Sequence, residues 1–211
     1  MTTPHINDSI ERALSGNSNL TPDQLNVRGF STSTIRRLFN NLCNIEGTYL
    51  EVGLFCGATF ISSFNQHLVA IGIEDHSQDF SEGFDLVKRE LKENVDKAAN
   101  RAKEVKIHYA DCFKIDKSIL PDNIDIMFWD GEHTLENQSK ALPHFFDKLA
   151  ERFVVVTDDY NWADVETGTN IGMQSLKDKM AIENCWVLRG YQLQNDPVWH
   201  NGVHILLANK I

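Results

Sequence analysis

The sequence is short of positive charge. Twenty lysines and arginines stand against 30 aspartates and glutamates, a formal net charge of -10 over 211 residues. That balance argues against a nucleic-acid groove, which needs a basic surface, and against adhesion to an anionic membrane. Long apolar runs are missing too, and none could span a bilayer. Met1 to Leu20 is polar and has no hydrophobic stretch of the kind a secretory signal carries. Cysteine is scarce: Cys43, Cys56, Cys112 and Cys185 form no Cys-x-x-Cys pair. Three of them lie inside apolar segments, which reads as reduced, buried small side chains and suits a cytoplasmic location. Repeats and low-complexity tracts are absent. What is present is ordinary for a soluble globular chain, 42% hydrophobic and 24% charged. The expectation is a polar segment over 1–20 that frays or forms a loose helix, then one domain over 21–211.

That domain is arranged around Thr48-Tyr-Leu-Glu-Val-Gly-Leu-Phe-Cys-Gly-Ala-Thr-Phe60. Thr48 to Val52 reads as a short buried strand, and Ala58 to about Gln66 as a helix. Between them, Gly53 and Gly57 let a ligand approach the backbone closely. The helix start offers free N–H groups. Glu51, at the strand's end, suits a ligand carrying an ammonium group or hydroxyls. A strand–helix turn with no ligand accounts for the same residues.

Ahead of this stretch, Thr21-Pro22 has the look of a helix start. Ser31-Thr32-Ser33 caps a helix with the stripe Ile35, Leu38, Phe39 and Leu42. Behind it, apolar runs alternate with helical spacing. Leu68 to Ile73 ends in Glu74-Asp75. Gly83 to Ala102 carries Phe84, Val87, Leu91, Val95 and Ala98 on one face. Val105 to Ala110 stops at Asp111, and Ile124 to Trp129 stops at Asp130. Leu135 to Leu149 reads as a helix despite Pro143, and Arg152 to Thr157 stops at Asp158-Asp159. Short two-sided strands alternating with amphipathic helices predict an α/β fold, a parallel sheet with helices on both faces. After Tyr160 come a polar loop (Asn161 to Asn170) and a helix from Ile171 to Ile182. Strands at Cys185–Leu193 and Val203–Ala208 then form an antiparallel hairpin closing one edge.

The acids fall at the strand ends, where open α/β sheets bind their ligands. Any one of Glu51, Glu74, Asp111, Asp130 and Asp158 also reads as a turn or helix cap; five on one rim are harder to dismiss that way. Glu74 is placed to accept from both hydroxyls of a ribose, and Asp111 from an adenine amino group. Asp130, Asp158 and Asp159 are hard oxygen ligands whose mutual repulsion a cation such as Mg²⁺ would relieve; Asp158 and Asp159 also read as caps of the next loop. In Asp130-Gly-Glu132-His133, the histidine would take a proton near neutral pH or stand as an ordinary loop residue. His200 and His204 read as structural.

Glu51-Val-Gly-Leu-Phe-Cys-Gly57 resembles the first motif of class I S-adenosylmethionine-dependent methyltransferases. Phe128-Trp-Asp-Gly-Glu-His133 with Val155-Val-Thr-Asp-Asp-Tyr160 is similar to the macrocin-type O-methyltransferases. The resemblance implies a Rossmann-like, seven-stranded, mostly parallel sheet whose last strand is inserted antiparallel. It implies S-adenosylmethionine held by Glu51, Gly53, Gly57, Glu74 and Asp111, and Mg²⁺ or a similar divalent ion held by Asp130, Asp158 and Asp159. Asp130 is counted beside the cofactor as well. His133 or Glu132 would deprotonate a hydroxyl of a small-molecule substrate. Lys148-Leu-Ala-Glu-Arg152 departs from the family's Pro-Gly-Gly turn.

The expected activity is therefore Mg²⁺-assisted methyl transfer to a small-molecule hydroxyl, with Asn161 to Asn170 and Trp162 covering the substrate. No nucleic-acid or membrane partner is expected, and a homodimer is left open. The alternatives are a metal-independent methyltransferase with His133 as base, a nicotinamide-dependent oxidoreductase, and a non-catalytic binding protein. The oxidoreductase reading is poor because Gly53 and Gly57 lack the close Gly-x-Gly spacing.

Overall fold

A computed structural model describes residues 1–74 and 83–211, the side chain of Phe84 excepted. Asp75 thus lies outside the described residues, as does the side chain of Phe84 in the predicted stripe. Contacts within the chain divide it into two compact units, 4–115 and 116–211 with 1–3.

Residues 4–115 hold most of α1 (Thr3–Leu14), then α2 (Pro22–Leu25), α3 (Ser33–Leu42), β1 (Gly47–Val52), α4 (Ala58–Ser62), β2 (Leu68–Glu74), α5 (Phe84–Ala98) and β3 (Glu104–Tyr109). The segment expected to fray or form a loose helix carries α1, whose Ile6, Ser9 and Ala13 are buried; a ring nitrogen of His5 lies 2.9 Å from the Leu42 carbonyl. A capping box starts α2, Thr21 and Gln24 each satisfying the other's backbone N–H. Thr32 caps α3 by accepting from the Ile35 N–H. Arg36 is buried, yet its guanidinium donates to the Leu25 and Val27 carbonyls at 2.7 Å and to the Ser31 hydroxyl at 3.1 Å. One buried cation thus fixes the α2–α3 connection, and its desolvation is offset by charge-assisted hydrogen bonds. α4 stops at Ser62, short of the predicted Gln66. The Ser62 and Ser63 hydroxyls donate back to the Ala58 and Phe60 carbonyls, a local pattern that competes with continued helix.

Residues 116–211 hold β4 (Ile124–Trp129), α6 (Leu135–Phe145), β5 (Leu149–Thr157), α7 (Ala163–Ser175), β6 (Met180–Leu188) and β7 (Val203–Lys210). Two expectations are corrected. The predicted loop 161–170 forms most of α7, and the strand predicted at 185–193 runs from Met180 to Leu188. The helix predicted from Ile171 to Ile182 thus begins earlier and ends at Ser175, and its Gly168 and Gly172, poor helix formers, lie against α6. A Cβ on Gly168 would sit 2.5 Å from that of Gln138, and one on Gly172 would sit 3.0 Å from the Ser139 carbonyl. Tight packing sets this helix, and local propensity does not.

Seven strands lie in one sheet in the order β3-β2-β1-β4-β5-β7-β6. β1–β2, β2–β3 and β4–β5 pair parallel, whereas β7 runs antiparallel to both β5 and β6. The predicted α/β fold with a terminal antiparallel pair is present. Among the described residues no helix is long and apolar enough to cross a membrane.

Candidate functional site

Within 4–115, the β1–α4 turn has an unusual backbone. Gly53 (φ 89°), Phe55 (φ 48°) and Gly57 (φ 81°) all adopt left-handed conformations. Glycine does so without cost, whereas a phenylalanine is strained there. A Cβ on Gly57 would also press on Leu91 Cδ1 at 2.9 Å, the end of a flexible side chain. The ring of the strained Phe55 packs against two neighbours. Its ring lies 5.1 Å from that of Phe30 and 4.8 Å from the Arg28 guanidinium, and Arg28 is itself paired with Glu90 at 2.8 Å.

Glu74 fastens this turn. Its Oε2 accepts from the Leu54 N–H at 2.6 Å and the Phe55 N–H at 2.9 Å, across 20 residues of chain. Glu51 is fully buried and accepts from the Thr59 hydroxyl at 2.6 Å and from the Tyr49 hydroxyl. Both acids therefore bind their own fold at the ends of β1 and β2. Asp111 closes a local turn. It accepts from the Phe113 N–H at 2.9 Å and pairs with Lys114 at 2.6 Å. The Lys114 hydrogen bond, chiefly, holds its carboxyl below the usual range.

Within 116–211, a second cluster stands after β4 and β5. Asp158, whose N–H donates to the Trp129 carbonyl, has a buried Oδ1 with no hydrogen-bond partner. Burial, and then the charges of Asp130 and Asp159, push its carboxyl well above the ordinary range. Asp159 is left-handed at φ 53°. Its Oδ1 accepts from Asn201 Nδ2 at 2.8 Å, and its Oδ2 lies 3.2 Å from His133 Nε2. The same nitrogen is 3.6 Å from Asp130 Oδ1. Trp162, at the start of α7, sets its ring edge-on to His133 with centroids 5.1 Å apart. The structure thus brings Asp130, His133, Asp158 and Asp159 together. Glu132 is exposed, and its carboxylate accepts from the Asn137 side chain on α6. His204 is buried, stacked on Tyr160 at 4.6 Å, and its pKa is lowered by desolvation to about 4.

Asn201 was not legible as a site residue. It orients Asp159 and also accepts from the Asn195 N–H at 2.8 Å. The only sequence signal is the turn-forming Asn201-Gly202 pair, far along the chain from Asp159.

The donor set of Asp130, Asp158 and Asp159 is right in kind for a hard divalent cation, and the orphaned Asp158 oxygen is the group such an ion would satisfy. Among the described residues, however, no three His, Cys, Asp or Glu side chains are arranged to hold a metal ion.

Solved methyltransferases share this architecture. An O-methyltransferase from Bacillus cereus in complex with SAH superposes with a TM-score of 0.59 at 10% identity, over 100% of this chain and 92% of that one. An SAH-bound methyltransferase from Podospora anserina gives 0.56 at 12% identity, over 97% and 88%. A precorrin-6y C5,15-methyltransferase from Geobacter metallireducens gives 0.60 at 14% identity, over 92% and 97%. Likeness at such low identity establishes the fold alone. Among curated proteins, none matches the sequence. A model of a methyltransferase-domain family matches residues 50–160, more than half of the chain, spanning both the glycine turn and the acid cluster. The chain belongs to that methyltransferase-domain family.

Proposed function

We propose that the protein transfers a methyl group from S-adenosylmethionine to a hydroxyl oxygen of a small molecule. The observation that carries this reading is His133, whose Nε2 faces a carboxylate of Asp159 that Asn201 holds in turn. An imidazole set beside carboxylates is the group there that would accept the hydroxyl proton. Asp159 stabilises the imidazolium that forms. Trp162, edge-on to the ring, limits its rotation and shields the proton from water. Bound S-adenosylmethionine supplies a methyl group on a cationic sulfur that leaves as a neutral thioether. In residues 4–115 the left-handed turn at Gly53 and Gly57 lets the donor's amino-acid part approach the backbone, and Glu74, adjoining the turn, accepts from the ribose hydroxyls. The SAH-bound relatives in the same fold support this choice of donor.

The test is labelled methyl transfer to a panel of phenols and sugar hydroxyls. His133→Ala should lower turnover by about a hundredfold or more while donor affinity, measured by calorimetry, stays unchanged. Unchanged turnover removes His133 as base.

A second reading adds a divalent cation, favoured by the orphaned Asp158 oxygen. Asp130, Asp158 and Asp159, which are not arranged as a metal site in this structure, would have to draw together to hold Mg²⁺, whose chemistry would be to lower the pKa of the acceptor hydroxyl. Activity that persists in excess chelator leaves His133 alone as the source of the nucleophile.

A further inference from the structure

The connection between α2 and α3, residues 26–32, lies against the glycine turn. Gly29 touches the first residue of α4, since a Cβ there would sit 2.7 Å from that of Ala58. On either side of Gly29, Arg28 and Phe30 both reach the strained Phe55. The Phe30 and Phe55 rings have centroids 5.1 Å apart and are tilted by 34°, and the Arg28 guanidinium lies 4.8 Å from the Phe55 ring. The connection is fixed from beneath by the three bonds of the buried Arg36 to Leu25, Val27 and Ser31. The turn is fixed from α5 as well, where Asn94 Nδ2 donates to the Cys56 carbonyl at 2.9 Å.

Phe30 is nevertheless 75% exposed. One apolar side chain at a surface needs no explanation by itself. What singles out Phe30 is its place, on an anchored segment and against the one residue of the turn, Phe55 at φ 48°, whose backbone is strained without being glycine. Strain of that kind persists at ligand sites where the surroundings hold it. The local charge is also suited to a cation. Arg28 is paired with Glu90 at 2.8 Å, so its charge is offset and does not repel a second cation arriving at Phe30.

We infer that Phe30 is a donor-binding residue whose ring receives the cationic sulfur of S-adenosylmethionine; the inference rests on the methyl-transfer reading and deepens it. A positive charge is attracted to the face of an aromatic ring, more strongly where water is displaced. SAH, the neutral thioether left after transfer, lacks that attraction. Phe30 thus favours the charged donor over the spent product at the same turn, which eases the exchange of one for the other.

The test is isothermal titration of the full chain with S-adenosylmethionine and with SAH, in the parent, Phe30→Leu and Phe30→Trp. Leucine keeps an apolar side chain and removes the aromatic face; tryptophan keeps the face. Expected in Phe30→Leu is affinity for S-adenosylmethionine lower by about fivefold, with affinity for SAH changed by less than about twofold. Phe30→Trp should retain the parent's preference. The exposed position leaves the melting temperature of both variants at the parent's value. Equal losses for the two ligands, affinities unchanged in Phe30→Leu, or a preference lost in Phe30→Trp would each overturn the role of Phe30 and leave methyl transfer standing. A parent chain that binds neither ligand would overturn both.

Discussion

A carboxylate that accepts two backbone N–H groups, as Glu74 does from Leu54 and Phe55, sets the shape of the turn before any ligand arrives. Glu74→Ala removes the oxygen that accepts from both N–H groups and leaves the strained Phe55 to relax. The expected result is donor affinity reduced at least tenfold in calorimetry, two hydrogen bonds to a charged group being worth more than about 1.4 kcal/mol. Affinity equal to that of the parent would dissociate Glu74 from the donor site. A second residue-scale effect is pH dependence from His204. The folded chain keeps this imidazole neutral down to about pH 4, whereas the unfolded chain protonates it near 6.5. Above that value both states are neutral and nothing changes. As the pH falls from there toward 4, only the unfolded state takes up the proton, and stability declines by on the order of 3 kcal/mol in full. Urea melts of the parent and of His204→Phe at about pH 7.5 and 5 check this, and equal losses in both would exclude His204 as the source. At this scale the sequence marked the acids correctly as strand-end residues but not their partners. Nothing local says that Glu51 would be enclosed by Tyr49 and Thr59, or that Asn201 would reach Asp159.

Elements were legible where one force dominates. The stripe Ile35, Leu38, Phe39 and Leu42 predicted α3, and all four are buried. The two-sided apolar runs predicted β1, β2, β4 and β5 because a central parallel strand has no solvent face to encode. The first part of α7 was read as loop because Asn161 to Asn170 is polar, whereas what sets the helix is its glycine contact with α6. At Gly168 that contact opposes local propensity, and the conflict can be measured. Gly168→Ala gains about 1 kcal/mol in helix propensity but drives a methyl group to 2.5 Å from Gln138 Cβ and 2.8 Å from the Leu135 carbonyl. Overpacking of that kind costs about 1–3 kcal/mol or more, and backbone on one side cannot yield as a flexible side chain would. The clash should win, lowering the melting temperature by several degrees. A rise would show that α6 and α7 are less tightly joined than the structure has them.

For the whole molecule, the alternation of apolar runs and amphipathic stretches predicted the sheet. The order of its strands was beyond local pattern, since it follows from which edges pair across long stretches of chain. The inserted strand β7 shows what that order entails. Val203–Lys210 is made after β6, yet it lies between β5 and β6 and supplies the pairing partner of each. While the polypeptide is still emerging from the ribosome, β6 has no neighbour to join, and the β5 edge stays open to unwanted partners. Vectorial synthesis thus delays closure of residues 116–211 until nearly the last of them has appeared, leaving an interval in which a chaperone would find exposed strand edges to protect.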